Sequence, residues 1–319
     1  MLNRCFCCYE PLSGVEVESD AGKSGFHVRC SKAFFGRKVP PALDFGQNQL
    51  LELAEQVVKS HKTVTGVQPK LSLGLSKKRE APDRFTLVGV WGEYILKPQT
   101  EHFLHLPENE DLTMHLAECC KIMTVPHTLV RMSSGDLAYI TKRIDRQEGR
   151  KIPVEDMCQL TERLTEHKYR GSYEQIAKAI HRYSSNPGLD VVNFYEVVLF
   201  SFLTGNNDMH LKNFSLIHSA LGYGLSAAYD LVASQLVVEG DDEELALNLN
   251  GKKKKLRKSD FIEAMKSAHI PAKTIDSVFV KFQDVSGKWP SLIERSFLPS
   301  DTQATYKELI RQKIGQLFG

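Results

Sequence analysis

The polar stretch Gly205–Asn213 holds the residues whose types and spacing are best suited to chemistry. It lies between two apolar segments, Val191–Leu203 and Phe214–Ile217, which we expect to be buried. Loops held on such a rigid scaffold commonly carry functional side chains. Within this stretch, Asp208 offers a carboxylate that can accept a proton, and Asn213 offers an amide oxygen that can bind a metal ion.

Asp208 and Asn213 form the pattern D-x-x-x-x-N. This is the spacing of a protein-kinase catalytic loop, in which the aspartate accepts a hydroxyl proton and the asparagine holds Mg²⁺. Aspartate and asparagine are also common turn formers. The spacing by itself therefore leaves two interpretations open, a catalytic loop and a plain polar turn.

Cysteines near the N-terminus have the spacing of a second kind of site. Cys5 and Cys8 form C-x-x-C, and His27 and Cys30 form H-x-x-C. Two such knuckles can place four ligands around one tetrahedral Zn²⁺, and a site closed by four protein ligands is structural rather than catalytic. The alternative is a set of reduced, unconnected thiols. Cys7 could replace Cys5 or Cys8. We expect the remaining cysteines to be small core residues of helices: Cys119, Cys120 and Cys158.

Composition sets the broad class of the protein. The chain has 319 residues, 42% hydrophobic and 25% charged, which is ordinary for a soluble protein of one large or two medium domains. Its net charge of +2 is not that of a dedicated nucleic-acid binder. No apolar run approaches the roughly 20 residues needed to span a bilayer, and no signal-peptide pattern is present. A cytoplasmic protein is expected.

Strand patterns follow a small-residue turn in the first half of the chain. From Val67 to Leu75 leucines alternate with small or polar residues, which is strand periodicity. Further strands are predicted at Phe85–Val88, Glu93–Lys97 and Leu137–Ile144. The turn before the first strand, Thr63–Lys70, could cover a phosphate chain with backbone N–H groups, although it matches neither Gly-rich phosphate motif. An ordinary loop is the alternative.

Lys97 stands at the end of an apolar strand and is followed by Pro98. An ammonium there must reach solvent or meet an anion, because an unpaired buried charge is costly. Phosphate is one candidate partner, and the carboxylate of Glu110, at the start of a helix predicted over Asp111–Met123, is another. Glu110 could also be a plain acidic residue at a helix N-terminus.

The second half of the chain is predicted to be mainly helical from Val154. Ser172 followed by Gln175 predicts a capping box, and Asp190 is expected to cap the buried helix that starts at Val191. Asp230 follows an apolar run and precedes another, so its carboxylate is expected to hold a cation such as Mg²⁺.

Two charged runs of opposite sign lie close together, the acidic Glu239–Glu244 and the basic Lys252–Lys258. Such runs usually form a solvated pair of loops. A nucleic-acid site in the basic run is the alternative, so direct DNA binding is not the expected outcome.

The order of these features along the chain is that of a protein-kinase-like fold. Several segments also resemble the HipA-like serine/threonine kinases, over roughly residues 60–310: Thr65–Lys70, Tyr94–Pro98, Glu108–Glu110, Glu155–Gln159, Gly205–Asn213 and Ala228–Asp230. The resemblance implies an α+β, two-lobed protein-kinase-like fold with a small mixed β lobe and a larger, mainly helical lobe, preceded by a Cys-rich, zinc-knuckle-like module. The expected domains are this module at 1–39, the small lobe at 40–145 and the helical lobe at 146–319.

The resemblance also implies roles for individual residues. Asp208 matches the catalytic base, Asn213 and Asp230 the Mg²⁺ ligands, and Glu110 the structural partner of the ATP lysine. Thr63 and Thr65 stand where family members carry an autophosphorylated hydroxyl, usually a serine. The positions that match ATP-binding residues are Thr65, Gly66, Val67, Gln68, Pro69, Lys70, Lys97, Lys142, Arg143, Ile144, His210, Leu211, Lys212, Asn213, Tyr229 and Asp230.

By the same resemblance, the chain is expected to be the toxin of a bacterial toxin–antitoxin module. It would use ATP and Mg²⁺ to phosphorylate serine or threonine on a protein such as an aminoacyl-tRNA synthetase. Because it resembles the compact HipT-like form, the expected partners are a DNA-binding antitoxin and a small companion protein replacing an N-terminal subdomain. The alternatives are a small-molecule kinase and a catalytically inactive nucleotide- or nucleic-acid-binding scaffold.

Overall fold

A computed structural model describes residues 3–43, 70–76, 84–88, 92–147, 149–238, 240 and 242–319. The predicted phosphate loop at 63–69 lies outside these residues. The chain divides into two compact units. Unit 1 comprises residues 1–111, 125–143 and 295–297, and unit 2 comprises residues 112–124, 144–294 and 298–319.

In unit 1 three short helices precede the strands of a sheet, and helices predominate in unit 2. In chain order the described helices are α1 (Val15–Glu18), α2 (Asp20–Lys23), α3 (Val28–Phe35), α4 (Leu106–Cys119), α5 (Met157–Leu160), α6 (Tyr173–Tyr183), α7 (Pro187–Leu203), α8 (Lys258–Ser267), α9 (Ala272–Ser286), α10 (Trp289–Arg295) and α11 (Ser300–Phe318). The described strands are β1 (Leu71–Ser76), β2 (Arg84–Leu87), β3 (Tyr94–Lys97), β4 (His127–Arg131), β5 (Leu137–Lys142), β6 (Arg146–Gln147), β7 (Arg150–Lys151), β8 (Val154–Asp156), β9 (Ser215–Ser219) and β10 (Gly222–Leu225).

A five-stranded sheet in the order β2-β1-β3-β5-β4 forms the centre of unit 1, and its neighbouring strands are antiparallel. The predicted alternation in β1 is observed, since Leu71 and Leu73 are buried whereas Ser72 and Gly74 are partly exposed. Leu71 lies opposite Leu96 of β3. Leucine pairs across neighbouring strands bury apolar area on one face and so fix the register.

Aromatic side chains join the N-terminal module to this sheet. Phe35 of α3 contacts Phe26 and Phe85, with ring centroids 5.5 Å and 6.0 Å apart. Phe34 lies 6.0 Å from Tyr94 of β3. The two contacts of Phe35 are edge-on, and aromatic packing of this kind stabilises beyond the area that it buries. The Cys/His module and the sheet therefore share one core, although separation of residues 1–39 as a domain stays a prediction.

Helix α4 begins earlier than predicted. It starts at Leu106 and ends at Cys119, whereas the sequence indicated Asp111–Met123. Glu110 consequently lies within the helix rather than before its first turn. Pro107 explains the early start, because proline fits the first turn of a helix, where its missing N–H costs no hydrogen bond.

Helix α7 is the buried centre of unit 2, and α6 packs against it. The Ser172 hydroxyl accepts a hydrogen bond from the Gln175 N–H at 3.3 Å, so Ser172 caps α6 as predicted. The other half of the predicted capping box is not observed, because the Gln175 side chain accepts a hydrogen bond from Arg163 at 2.9 Å instead. The predicted cap of α7 is wrong: the helix begins at Pro187, and Asp190 lies inside it. The Asp190 carboxylate instead accepts hydrogen bonds from the Ser184 hydroxyl and the Leu225 N–H, at 2.6 Å and 2.8 Å.

A three-stranded antiparallel sheet, in the order β10-β9-β8, accompanies the helices of unit 2. Across the described residues, no helix is both long enough and apolar enough to cross a membrane.

Candidate active site

Lys97 and Glu110 form a buried ion pair in unit 1. The Lys97 Nζ lies 2.5 Å from Glu110 Oε1, and the two side chains are 5% and 2% exposed. The ammonium also lies 5.3 Å from the centre of the Tyr139 ring, where a cation is attracted to the aromatic face. Of the two anions considered for Lys97, the structure shows the carboxylate. Removing either partner would take the opposite charge away from a buried one, which is costly.

Asp111, the next residue in α4, extends this pair into a network. Its Oδ1 lies 2.8 Å from Nδ1 of His127, and its Oδ2 accepts a hydrogen bond of 2.7 Å from the Tyr9 hydroxyl. The His127 ring stacks on Tyr139, with centroids 5.9 Å apart. Asp111 and Tyr9 are fully buried. Two adjacent acidic residues of one helix thus hold different parts of unit 1.

The loop after α7 is fixed to its surroundings mainly through Ser234. The Ser234 hydroxyl donates to Asn207 Oδ1 at 2.5 Å and accepts from the Asn207 N–H at 2.9 Å. The carbonyl of Gly205 accepts a hydrogen bond from the Gln235 N–H at 3.0 Å. Gly205 has φ +67°, and a Cβ there would lie 2.6 Å from Leu309 Cδ2. The left-handed backbone therefore favours glycine in this turn, and a Cβ would also have to displace the end of the Leu309 side chain.

Asp208 and Asn213 are held together by this loop. The Asn213 Nδ2 donates a hydrogen bond of 3.0 Å to the carbonyl oxygen of Asp208. The Tyr169 hydroxyl donates to Asp208 Oδ1 at 2.5 Å. Asn213 is buried, whereas Asp208 is partly exposed. The carboxylate is thus positioned by protein groups yet remains accessible, which a general base needs.

His210 lies in the same loop and is 5% exposed. Burial lowers the pKa of its imidazole to about 4, although the nearby carboxylate of Asp208 opposes this change. Its ring packs edge-on against Tyr169, with centroids 4.9 Å apart. His210 is therefore neutral at physiological pH, and among the described residues its Nδ1 has no hydrogen-bond partner.

Tyr229 connects Asp230 to the loop. Its hydroxyl donates to the carbonyl of Lys212 at 3.0 Å and lies 2.5 Å from the Ser215 hydroxyl. Asp230 is partly exposed and has φ +56°, a left-handed conformation that is uncommon outside glycine. Strained backbone of this kind is often found at functional sites. Asp208, Asn213 and Asp230 all belong to unit 2.

Lys212, predicted to bind the nucleotide, forms an ion pair with Asp156. Its Nζ lies 2.6 Å from Asp156 Oδ2. Asp156 also caps α5, since its Oδ1 accepts a hydrogen bond from the Gln159 N–H at 3.0 Å. The charge of Lys212 is thus used to hold α5 near the loop. Leu211, between His210 and Lys212, is fully buried.

The predicted hinge residues Lys142, Arg143 and Ile144 lie where the division between the units falls, after Arg143. The Lys142 N–H donates to the Pro126 carbonyl, and the Arg143 N–H donates to the Glu93 carbonyl at 2.9 Å. Burial lowers the pKa of Lys142. Both backbone donors are engaged within unit 1. Of the predicted phosphate loop, only Lys70 is described, and it is exposed.

Four residues of the N-terminal module could hold a metal ion: Cys5, Cys8, His27 and Cys30. Their ligand atoms all lie within 4.8 Å of one another. Cys7 is not part of this group. Of the other cysteines, Cys120 and Cys158 are buried as predicted, whereas Cys119 is partly exposed.

The basic run forms ion pairs with neighbouring acidic residues of unit 2. Lys252 lies 2.7 Å from Asp260, and Lys253 lies 2.9 Å from Glu243. Lys254 pairs with Asp242. The structure thus favours the interpretation of these runs as paired surface loops, because their charges neutralise one another.

Each unit therefore brings together one pair of the residues predicted from sequence. Unit 1 brings Lys97 to Glu110, and unit 2 brings Asp208 to Asn213. Sequence reasoning missed the residues that hold these groups: Tyr9, Asp111, His127, Tyr169 and Ser234. Residue type did not distinguish Asp111, because helix α4 also contains Glu108, Glu110 and Glu118.

Taken together, a small β-rich unit with a buried Lys–Glu pair and a helical unit with a D-x-x-x-x-N loop define a two-lobed, protein-kinase-like α+β protein, which confirms the predicted fold class. Comparison with known proteins agrees. Residues 63–289 match the HipA-like C-terminal domain family. The chain belongs to the HipA-like kinase family.

Individual relatives carry kinase names. The "Putative kinase Y4dM" of Sinorhizobium fredii is 30% identical over 274 residues, covering 78% of this chain and 66% of that protein. A "Putative kinase" of Haemophilus influenzae is 26% identical over 245 residues, covering 73% of this chain and 68% of that protein. The "Serine/threonine-protein kinase toxin HipA" of Shewanella oneidensis is 28% identical, covering 60% of this chain and 47% of the toxin.

A solved structure shows the same fold. It is the Shewanella oneidensis complex of HipA, HipB and operator DNA, in which the matched chain has a TM-score of 0.67 and 21% identity. The match covers 83% of this chain and 71% of the other. The present chain spans about two thirds of the length of the first two relatives and about half of the HipA toxin.

Proposed function

We propose that this chain is an Mg²⁺- and ATP-dependent serine/threonine protein kinase and the toxin of a toxin–antitoxin pair. The observation that carries the proposal is the Asp208–Asn213 turn, in which a buried asparagine holds the backbone of a partly exposed aspartate. The kinase names of the relatives support the same activity.

The side chains present fit Mg²⁺ and ATP. Because the Asn213 Nδ2 donates to the Asp208 carbonyl, its Oδ1 is the atom left as a metal ligand. A carboxylate from Asp230 and this amide oxygen form the hard oxygen donor set that Mg²⁺ prefers. ATP would supply the phosphoryl group, and Mg²⁺ would offset its negative charge.

In the proposed reaction, Asp208 orients the substrate hydroxyl and accepts its proton, a role that typically contributes about 10²–10⁴-fold. Tyr169 holds the Asp208 carboxylate in one orientation through its hydrogen bond. Lys97, kept in place by Glu110, would offer its ammonium group to phosphate oxygens of bound ATP. The neutral His210 adds no positive charge to the loop.

The substrate is proposed to be a protein, with an aminoacyl-tRNA synthetase as the first class to test. Thr63 or Thr65 would be the autophosphorylated residue. A DNA-binding antitoxin is the proposed partner, since the solved HipA relative is in a complex with HipB and operator DNA. A small companion protein is a second proposed partner.

The test is labelling with ATP that carries a radioactive γ-phosphate, using the purified chain with and without a cell lysate. Asp208→Gln should abolish labelling of the chain and of lysate proteins while the variant stays folded. Asp276→Gln, which changes an exposed aspartate of α9, is the matched control and should label normally. Full activity of the Asp208 variant would refute the assignment.

The same experiment separates the alternatives. Label in small metabolites with none in protein would indicate a small-molecule kinase. Salt-sensitive DNA binding by the chain without ATP turnover would indicate a scaffold. Mass spectrometry of the self-labelled chain would identify the autophosphorylated threonine.

A further inference from the structure

The ligand atoms of the Cys/His cluster are as close together as a tetrahedral metal site requires. The Cys8 Sγ lies 3.4 Å and the Cys30 Sγ 3.9 Å from Nδ1 of His27. Zinc bonds of about 2.3 Å to sulfur and about 2.0 Å to nitrogen place neighbouring ligands roughly 3.5–3.8 Å apart. The observed separations bracket this range. No disulfide joins these thiols in the described residues, where Cys5, Cys8 and Cys30 are free.

The histidine of this cluster is held with its Nδ1 facing the thiols. The Nε2 of His27 lies 3.2 Å from the carbonyl oxygen of Pro11, and a carbonyl can only accept. Nε2 therefore donates to this carbonyl, and Nδ1 is the ring nitrogen that lies beside the thiols. A backbone carbonyl on the distal nitrogen is a common way to fix a metal-binding histidine.

The sulfur of Cys5 is also held by a backbone hydrogen bond. It accepts a hydrogen bond from the backbone N–H of His27 at 3.4 Å. Cys5, His27 and Cys30 are buried, at 0%, 4% and 8% exposure.

The first knuckle is connected directly to helix α4. Tyr9 closes the knuckle, because its N–H donates to the Cys5 carbonyl at 3.0 Å and its φ is +62°. Its hydroxyl then donates to Asp111, the residue beside Glu110. Phe6, between the two cysteines, packs under the guanidinium of Arg131 at 5.2 Å. The position of the knuckle thus determines the position of the Tyr9 hydroxyl.

We propose that Cys5, Cys8, His27 and Cys30 bind one structural Zn²⁺, and that this metal, through Tyr9 and Asp111, positions the turn of α4 that carries Glu110. Binding would take three thiolates and one neutral imidazole and would release the thiol protons to solvent. The metal part is independent of the proposed kinase activity, and the coupling to α4 can be measured without ATP.

The first test is metal content of the full chain by mass spectrometry, together with Co²⁺ substitution, in which thiolate ligands give characteristic absorption bands. We expect about one zinc per chain. Cys30→Ser should lose most of the metal, whereas Cys7→Ser, a cysteine outside the cluster, should keep it. Equal zinc in both variants, a metal-free wild type, or a disulfide among the three thiols would overturn the site.

The second test follows amide hydrogen exchange of peptides from α4. Removing zinc from the wild type with a chelator should accelerate amide exchange in the first half of α4. Adding zinc back should return the exchange to its original rate. Because this comparison uses the wild type, it does not depend on a variant that could fail to fold. Tyr9→Phe should keep its zinc. Its amides in the first half of α4 should nevertheless exchange at least about tenfold faster than those of the wild type, because the buried hydrogen bond to the Asp111 carboxylate is lost. Unchanged exchange in Tyr9→Phe would refute the coupling while leaving the metal site standing.

Discussion

Tyr9 donates a hydrogen bond of 2.7 Å to Asp111, although the two residues are 102 positions apart in sequence. Both are fully buried, so the bond is made where water cannot replace it. Asp111 also meets His127, and its neighbour Glu110 holds Lys97. A residue of the N-terminal module is thereby part of the network that surrounds the proposed ATP lysine.

Replacing one partner of the buried Lys97–Glu110 pair should lower the free energy of unfolding more than replacing both. Glu110→Gln removes the carboxylate that lies against the buried ammonium of Lys97, and should lower the free energy of unfolding by about 3–5 kcal/mol. The double variant Lys97→Met/Glu110→Gln should recover part of that loss. Denaturant unfolding measures both.

The control for this pair is Glu263→Gln, which breaks an exposed pair with Lys266 and should change stability by about 1 kcal/mol or less. The single variant Lys97→Met completes the comparison. If the losses in free energy of unfolding of Lys97→Met and Glu110→Gln simply add in the double variant, the pair is not energetically coupled.

Tyr169→Phe should slow the proposed phosphoryl transfer without weakening nucleotide binding. The lost hydrogen bond holds the Asp208 carboxylate, so kcat should fall about tenfold while KM for ATP stays near its original value. Tyr183→Phe, at the exposed end of α6, serves as the control. A rise in KM with unchanged kcat would contradict the positioning role.

Gly205→Ala should destabilise the loop after α7. Its φ of +67° and the approach of Leu309 both oppose a side chain, at a cost of about 1–3 kcal/mol. Gly188→Ala, in α7 with open space around it, should be neutral or stabilise by up to about 1 kcal/mol. Thermal unfolding of both variants checks the contrast, and equal effects would argue against strain at Gly205.

Asp260 should make stability depend on pH. Burial raises the pKa of its carboxyl, but hydrogen bonds from Lys252, Asn250 and the Arg257 N–H outweigh burial and lower it. A depressed folded-state pKa adds stability above the unfolded value of about 4, and this stability is lost as pH falls through the folded pKa.

Asp260→Asn should therefore be less stable than the wild type at pH 7, by about 1–3 kcal/mol, and the difference should shrink below about pH 4. Asp284→Asn, an exposed aspartate of α9, should show no such trend. A difference that is constant from pH 7 to pH 3 would exclude the ionised carboxylate as its source. Urea unfolding at a series of pH values provides the measurement.

Local sequence patterns predicted much of the fold. The alternating leucines of β1, the apolar run of α7 and the Ser172 cap each depend on neighbours within a few residues, and each is observed. The predicted start of α7 at Val191 failed because Asp190 is a good cap by type, yet its carboxylate bonds Ser184 and Leu225 instead. Strand β4 was missed, since its five residues carry no clear alternation.

The sequence by itself determined which side chains are available for chemistry: the carboxylates and asparagine of the loop, the strand-terminal lysine, and four metal-binding side chains in two knuckles. These could be identified because their spacing is local. Tertiary structure decided that Lys97 meets Glu110, that Tyr169 holds Asp208, and that Tyr9 reaches Asp111. Such contacts join residues far apart in the chain, and only the packing of buried elements brings them within hydrogen-bonding distance.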